Sequence, residues 1–274
     1  MADCLGEGPA GQGQGPGQGE GVNATAGDSQ GRGTYPLAEA ARLSHLPALT
    51  VRRWIQGYDY TSKGQRRHSE PISYLADAYY DAKRTAVRPS TRRPTPVLDF
   101  EQLLTLMLVR AFKKRGLGLP KIKKAAARAR ERYNLENPFV TKQFRSDGNR
   151  IFVDLAPSSK GRERELVDVL SDQRQFRDIV EPSLFKDVVF AGDRAGQWWP
   201  LGQERKVLVS PRIQFGAPHI AGTGVRTDVI AQMVAAEGGG GDAVDGTAGW
   251  FGLTPEQVTD AVEFEGPWLS EPPD

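Results

Sequence analysis

Apolar residues recur at helical spacing in two short segments between residues 35 and 57. The first segment follows Pro36, a residue favoured at helix starts, and its apolar positions are Leu37, Ala40, Ala41 and Leu43. In the second segment Val51, Trp54 and Ile55 share one face, and Gly57 is expected to end the helix as a left-handed cap. Two short helices joined by a tight turn are typical of a helix-turn-helix, whose second helix meets DNA.

A segment of aromatic and β-prone residues with a glycine turn follows the second helix. Aromatic and β-prone residues lead into Gly64 and then into a basic run, which predicts a two-stranded ribbon, a wing, over residues 58–68. Basic side chains on such a wing can reach phosphates beside the groove that holds the helix, although a solvated loop is the alternative. The predicted DNA contacts on helix and wing are Thr50, Arg52, Arg53, Gln56, Tyr60, Lys63, Arg66 and Arg67.

An insertion at residues 73–96 follows, with a short helix predicted over residues 73–83. Two longer helices are predicted after it. The first covers residues 98–115, with an apolar face made of Phe100, Leu103, Leu104, Met107, Leu108 and Ala111. We expect this face and the β/α connecting segment, residues 136–206, to be the surfaces available for pairing two copies of the chain. The second extends from Pro120 to about Tyr133, and its cations include Lys121 and Lys124 as candidate phosphate contacts. A solvated helix is an equally good interpretation of that charge.

The pattern is mixed in the remainder of the chain. Residues 139–155 predict a hairpin around Asp147-Gly148, and residues 164–180 have weak helical spacing. Short strands are expected at residues 188–190 and 207–209, with Trp198 and Trp199 between them in the core. After residue 210, short β-like pieces alternate with turns, and three helices are predicted, over residues 228–236, over residues 242–251, and from the capping-box sequence Thr254-Pro255-Glu256-Gln257.

Composition divides the chain into regions of opposite charge. Residues 1–33 contain 11 Gly and almost no large apolar residue, so we expect them to be disordered. The overall net charge of +2 is the balance of +13 over residues 35–132 and −8 over residues 133–274, with −3 before them. Such segregation favours one part that faces nucleic acid and another that faces a different partner; chance clustering on solvated helices is the alternative.

Few residues support catalysis, metal binding or membrane insertion. Cys4 is the single cysteine, the three histidines lie far apart, and no apolar stretch is long enough to span a bilayer. We therefore expect no metal, no cofactor and a cytoplasmic, nucleoid-associated protein. The best case for an enzyme is a phosphate loop at residues 216–224, but it lacks the Gly-Lys-Ser/Thr ending and any nucleophile–base set, so no enzymatic activity is expected.

Several motifs together resemble known families. Residues 35–43 (YPLAEAARL) with residues 50–54 (TVRRW) resemble the MerR-like winged helix-turn-helix, and residues 98–124 look like the helix pair that follows in that family. Residues 210–227, with the run Pro-Arg-Ile-x-Phe-Gly-x-Pro-x-Ile-x-Gly-Thr, and the helices to Glu265 resemble the small C-terminal domain of VapB-type antitoxins. The two modules in this order resemble the larger VapB antitoxins of actinobacterial type.

This resemblance implies a mainly α-helical chain with small β-hairpins, an α+β fold. Its expected parts are a tail (1–34), a winged helix-turn-helix DNA-binding domain with helical extension (35–135), a β/α connecting segment (136–206), a three-helix C-terminal antitoxin domain (207–266) and a second tail (267–274).

The resemblance also implies a function. The protein is expected to be a DNA-binding antitoxin of a type II toxin-antitoxin system, a homodimer on double-stranded operator DNA that represses its own operon and neutralises a PIN-like ribonuclease toxin. Arg212, Thr223 and Arg226 are the expected toxin contacts, although Gly224 stands where many members have Arg. The alternative is a MerR-like transcription regulator without a toxin partner, in which the C-terminal module only dimerises.

Overall fold

The fold combines helices with small antiparallel sheets. The computed structural model describes residues 31–72, 74–75, 96–114, 116–134, 137–140, 144–146, 151–154, 166–168, 174–175, 186–192 and 194–269. Over these residues one sheet has four strands and the others have two, all of them antiparallel. The predicted α+β fold class is therefore confirmed. The predicted helix at 73–83 and most of the segment that follows it lie outside the described residues.

The first two predicted helices are present, as α1 (Leu37–Ser44) and α2 (Ala48–Gln56). Between them His45 adopts a left-handed conformation, with φ of 50°, and the Leu46 N–H donates to the Ala41 carbonyl, which closes a tight turn. The expected left-handed cap at Gly57 is wrong, because its φ of 73° is combined with an extended ψ of 176°. The chain passes directly into a strand there, and a Cβ would lie 2.7 Å from the Ser69 carbonyl oxygen.

The predicted ribbon follows α2. Strands β2 (Tyr58–Ser62) and β3 (Gln65–Ser69) form an antiparallel pair. A separate short pair joins β1 (Tyr35–Pro36), which precedes α1, to β4 (Val97–Leu98). This pairing brings the segment after the insertion back beside the first helix, so that the next helix begins against α1.

The two longer helices are α3 (Phe100–Lys114) and α4 (Leu119–Tyr133). Helix α3 is less amphipathic than predicted: Leu106, Val109 and Phe112, which lie outside the predicted apolar face, are as fully buried as Leu103 and Leu104. It is thus the central helix of the core. The expectation that its apolar face is available for pairing two copies is therefore wrong, since this chain already covers it.

A four-stranded sheet follows in the order β5 (Phe144–Ser146), β6 (Ile151–Asp154), β7 (Leu166–Asp168), β8 (Arg174–Gln175). The pairing of β5 with β6 agrees with the predicted hairpin, whose turn lies outside the described residues. The helix predicted over residues 164–180 is wrong in its described parts, which are β7 and β8. Strand pairing with β6 determines the local structure there, and the helical spacing of the sequence was weak.

Strands β9 (Val188–Ala191) and β10 (Arg194–Trp198) form the next hairpin. Its buried residues lie in the same apolar core as α1, α2, α3 and α4, which we call the first core. Trp198 is buried as expected, whereas Trp199 is half-buried. Trp198 also forms paired backbone hydrogen bonds with Val209, each 2.9 Å long. Val209 is fully buried in the same core, so the start of the C-terminal region packs with the N-terminal helices.

The C-terminal unit has its own apolar core beneath three helices. A pair of short strands, β11 (Val207–Leu208) and β12 (His219–Ile220), leads into α5 (Thr227–Ala236), α6 (Gly241–Phe251) and α7 (Pro255–Leu269). The predicted capping box is present: the Thr254 N–H donates to Gln257 Oε1 over 2.9 Å, and the Gln257 N–H donates to Thr254 Oγ1 over 3.3 Å. Helix α7 continues three residues past the expected end of the domain.

Buried polar contacts join this unit to the N-terminal helices. The Tyr35 hydroxyl donates to the Gly216 carbonyl over 2.9 Å, and burial raises the pKa of Tyr35. Glu265 of α7 accepts from the Arg42 guanidinium of α1 over 2.7 Å and from the Thr227 hydroxyl over 2.6 Å. The Thr34 N–H donates to the Phe215 carbonyl, so the last residues of the expected N-terminal tail are part of the fold. The two units are therefore docked against each other.

Candidate nucleic-acid interface

Helix α2 presents a polar surface because its apolar side is firmly packed. Val51, Trp54 and Ile55 are buried in the first core, and the Lys113 ammonium of α3 lies 5.7 Å from the centre of the Trp54 ring. On the other side Arg52 and Arg53 are exposed. Two further predicted contacts, Thr50 and Gln56, are half-buried. The exposed strip of α2 therefore carries two guanidinium groups beside Leu49, which is 58% exposed.

The ribbon is closed by a two-residue turn. Lys63 and Gly64 have φ of 51° and 74°, the pair of positive values that a type I′ turn requires. This turn matches the right-handed twist of the flanking strands and fixes the register, in which Tyr60 lies opposite Arg67 and Thr61 lies opposite Arg66. Lys63, at the tip, is exposed.

The register separates the predicted wing residues onto two faces. Directly opposite residues share a face, and neighbours along a strand alternate. Tyr58, Tyr60 and Arg67 therefore lie on one face, which we call the tyrosine face. The Arg53 guanidinium of α2 lies 5.3 Å from the centre of the Tyr58 ring, and the rings of Tyr58 and Tyr60 are 5.8 Å apart. The tyrosine face is thus continuous with the exposed strip of α2.

Arg66 lies on the opposite face, where it is paired within the chain. Its guanidinium donates to Asp59 Oδ2 over 2.7 Å, and Nδ1 of His68 is 2.7 Å from Asp59 Oδ1. Hydrogen bonds from His68 and then from Arg66 lower the pKa of Asp59, so the carboxylate is charged near neutral pH. Asp59 was not among the predicted site residues. No signal in the sequence alone identifies it, because its position diagonally across the ribbon from Arg66 depends on the register of the two strands.

Helix α4 is hydrogen-bonded to the end of strand β3, at the side of the ribbon opposite its turn. The Lys123 ammonium donates to Ser69 Oγ over 3.0 Å and to the Glu70 carbonyl. Burial lowers the pKa of Lys123. The predicted contacts Lys121 and Lys124 are exposed on the same helix. Lys123 was not predicted, because a helix rich in cations gives no sign of which one faces the protein.

The three residues predicted to contact a toxin lie around the start of the C-terminal unit. Arg212 is exposed. The Thr223 hydroxyl serves its own turn, because it donates to the Ile220 carbonyl over 2.9 Å and accepts from the Val225 N–H over 3.1 Å. Arg226 makes a bidentate contact with Asp228: Nε donates to Oδ1 over 2.9 Å and Nη2 donates to Oδ2 over 2.5 Å. This contact raises the pKa of the Arg226 guanidinium. A partner carboxylate would therefore have to compete with Asp228.

The described residues form neither a cluster of metal ligands nor a membrane-spanning helix. Across the described ranges, no three His, Cys, Asp or Glu side chains come together as a metal site would require. No helix in the described part of the chain combines the length and apolar character needed to cross a membrane.

Comparisons with known proteins find similarity over most of the chain. Residues 207–264 match DUF433, a family described as proteins of unknown function. The chain is 26% identical over 238 residues to a protein of Mycobacterium tuberculosis named "Putative antitoxin VapB45", an alignment that covers 84% of this chain and 92% of that protein. It is 27% identical over 244 residues to the uncharacterized protein Rv2308 of the same organism, covering 85% and 90% respectively.

The crystal structure of Rv2018 from Mycobacterium tuberculosis superposes with a TM-score of 0.49 at 19% identity, over 83% of this chain and 96% of that one.

Proposed function

We propose that this protein is a DNA-binding antitoxin of a type II toxin-antitoxin system. The observation that carries the proposal is the continuous surface of Arg52, Arg53, Tyr60 and Arg67, in a chain that is similar over most of its length to a relative named as an antitoxin. Helices α1 and α2 with the β2–β3 ribbon act in this proposal as a MerR-like winged helix-turn-helix.

In the proposed complex α2 enters the major groove of operator DNA. Arg52 or Arg53 meets a guanine edge or an adjacent phosphate, with Thr50 and Gln56 beside them. Lys63 and Arg67 contact the DNA backbone next to the groove, and Lys121 and Lys124 add contacts to DNA phosphates. One such unit covers only a few base pairs, so two copies on two half-sites are expected. Because α3 is buried within each chain, the two copies of the protein pair through another surface.

The C-terminal unit provides the second activity. Residues 207–269 contain two basic residues, Arg212 and Arg226, and eight acidic ones, so DNA phosphates repel this part of the protein. A PIN-like ribonuclease holds RNA and presents a basic surface, to which an acidic unit is complementary. In this proposal the protein neutralises such a toxin and represses its own operon at the nucleoid.

DNA binding is tested by fluorescence anisotropy with the duplex that lies upstream of the protein's own gene. Replacing Arg52 and Arg53 together by Ala should weaken binding by about tenfold or more, since each base contact contributes about 1–3 kcal/mol. A double Ala variant that binds this duplex as tightly as the original protein would show that α2 is not the recognition helix.

Antitoxin activity is tested by co-expression with the product of the adjacent reading frame. We expect that product alone to arrest growth, and we expect growth to recover when this protein is supplied. If the protein binds its upstream DNA but the adjacent product neither arrests growth nor binds it, the protein is a MerR-like regulator without a toxin partner.

A further inference from the structure

One face of helix α6 is exposed and has an unusual composition. Asp242, Asp245, Gly246, Gly249 and Trp250 follow the spacing i, i+3, i+4, i+7, i+8, which places them on one side of the helix. All five are exposed, whereas Ala243, Thr247 and Ala248 on the other side are buried. We call these five residues the α6 outer face.

Trp250 is the most prominent residue of this face. It is 76% exposed, a larger fraction than for any other large apolar side chain among the described residues. Tryptophan presents a large apolar area with few rotatable bonds, and it is enriched among the residues that dominate protein–protein binding energy. A single exposed apolar side chain is common on protein surfaces, so the residues around Trp250 decide whether it marks a binding site.

The two glycines beside Trp250 keep the helix surface flat. Glycine destabilises a helix interior relative to alanine, yet a Cβ at Gly249 would meet no atom within 4 Å. Packing within this chain therefore does not require glycine at that position. At Gly246 a Cβ would lie 3.2 Å from the Glu237 carboxylate, so a third acidic group borders the face. A flat helix surface beside an aromatic side chain allows close approach of a partner.

The charge around the face selects the kind of partner. From residue 227 to the end of the chain there are ten acidic residues and no Lys or Arg. Nucleic acids and anionic membranes are repelled by such a surface, and a second copy meeting it face to face would bring like charges together. A protein with a basic surface is the complementary partner.

We propose that the α6 outer face is a docking surface for a basic partner protein, with Trp250 as the anchor and Asp242 and Asp245 as its charged rim. The inference rests on the proposed function, and it identifies the partner as the toxin. It places toxin binding on α6, apart from Thr223 and Arg226, whose polar groups are engaged within the chain.

The test is binding of the full chain to the purified product of the adjacent reading frame by biolayer interferometry. Trp250→Ala should weaken binding by at least about 30-fold, as expected for a central aromatic anchor. The matched control is Val229→Ala, another exposed apolar residue on a helix of the same unit, which should change affinity by less than about threefold.

A second pair of variants tests the charge. Asp242→Asn with Asp245→Asn should slow association by about fivefold at low salt, and the effect should shrink in high salt. Glu256→Gln on α7 is the control, since Glu256 is exposed but lies on another helix. Binding to the upstream DNA should stay unchanged in all four variants, which also shows that they fold.

The outcomes separate the two hypotheses. If the original protein binds the adjacent product and Trp250→Ala binds it equally well, the α6 proposal is overturned while the antitoxin proposal stands. If the original protein does not bind the product at all, the antitoxin proposal fails and the α6 proposal fails with it. A dimer of the original protein alone that Trp250→Ala converts to monomers would overturn the choice of partner.

Discussion

Arg66 and Arg67 are adjacent in sequence but should differ strongly in their contribution to DNA binding. Arg67 lies on the tyrosine face, continuous with Arg53 of α2, whereas Arg66 lies on the opposite face and is paired with Asp59. Each residue can be replaced by Ala with the same change of net charge. The two variants are therefore matched for long-range electrostatics and differ only in local geometry.

The expected magnitudes follow from what each guanidinium contacts. A hydrogen bond to a charged group contributes about 1.5–3 kcal/mol, so Arg67→Ala should weaken DNA binding by roughly 10- to 100-fold. The slope of log affinity against log salt should fall by about 0.9 for the phosphate contact that is lost. Arg66 already has a carboxylate partner and faces away from α2, so Arg66→Ala should weaken binding by only about twofold through the general loss of charge.

The measurement is fluorescence anisotropy with the duplex upstream of the protein's own gene, over a range of salt concentrations. The same series should be run on a scrambled duplex, where Arg67→Ala should cause a similar loss, because a phosphate contact carries no sequence preference. Equal effects of Arg66→Ala and Arg67→Ala would refute the assignment of the tyrosine face as the DNA-facing side of the ribbon. A larger effect of Arg66→Ala would place DNA on the Asp59 face.

Three further predictions concern stability, measured by urea unfolding. Burial raises the pKa of Asp99 to about 6, above its unfolded value of about 3.9, so the folded state loses stability as pH rises from about 4 to 6. Asp99→Asn keeps an oxygen for the Gln102 N–H and should add about 1–2 kcal/mol at pH 7 and flatten that pH dependence; an unchanged pH profile would contradict this. Arg42→Ala leaves the buried Glu265 carboxylate without its cation and should cost about 3 kcal/mol, and a loss below about 1 kcal/mol would show that the pair is unimportant. Gly249→Ala should stabilise the free protein by about 1 kcal/mol, whereas a destabilised variant would mean that the position is constrained within the chain.

Local patterns predicted most of the elements correctly. The helices at both ends of the chain have strong apolar periodicity and clear end signals, such as the Thr254–Gln257 capping box, so local preferences and tertiary packing agree there. The ribbon was predictable because a glycine turn between β-prone residues allows few alternatives. The weak helical spacing at residues 164–180 had no such support, and strand pairing determined the structure instead.

The candidate site was predictable in composition but not in arrangement. The sequence identifies Arg53, Arg66 and Arg67, together with Tyr60, as candidate DNA contacts on the second helix and the ribbon after it. It does not give the register of the ribbon, and a shift of one residue would move every side chain to the other face. Alternation along the strand separates Arg67 from Arg66, but only the register places Arg67 on the face of Tyr58 and Tyr60 and brings Asp59 into contact with Arg66. The burial of α3 beyond one face was missed, although Leu106, Val109 and Phe112 extend the apolar residues around most of this helix, the pattern of a buried helix.

The two proposed activities cannot be separated cleanly by cutting the chain. A chain that ends near residue 204 would lack Val209, which is fully buried among the N-terminal helices and bonded to Trp198. It would also leave Tyr35 without its Gly216 acceptor and Arg42 without Glu265. Loss of DNA binding by such a fragment would therefore reflect damage to the core from which α2 projects. Point variants on exposed surfaces, Arg67→Ala for DNA and Trp250→Ala for the partner, avoid this because neither side chain takes part in the contacts that join the two units.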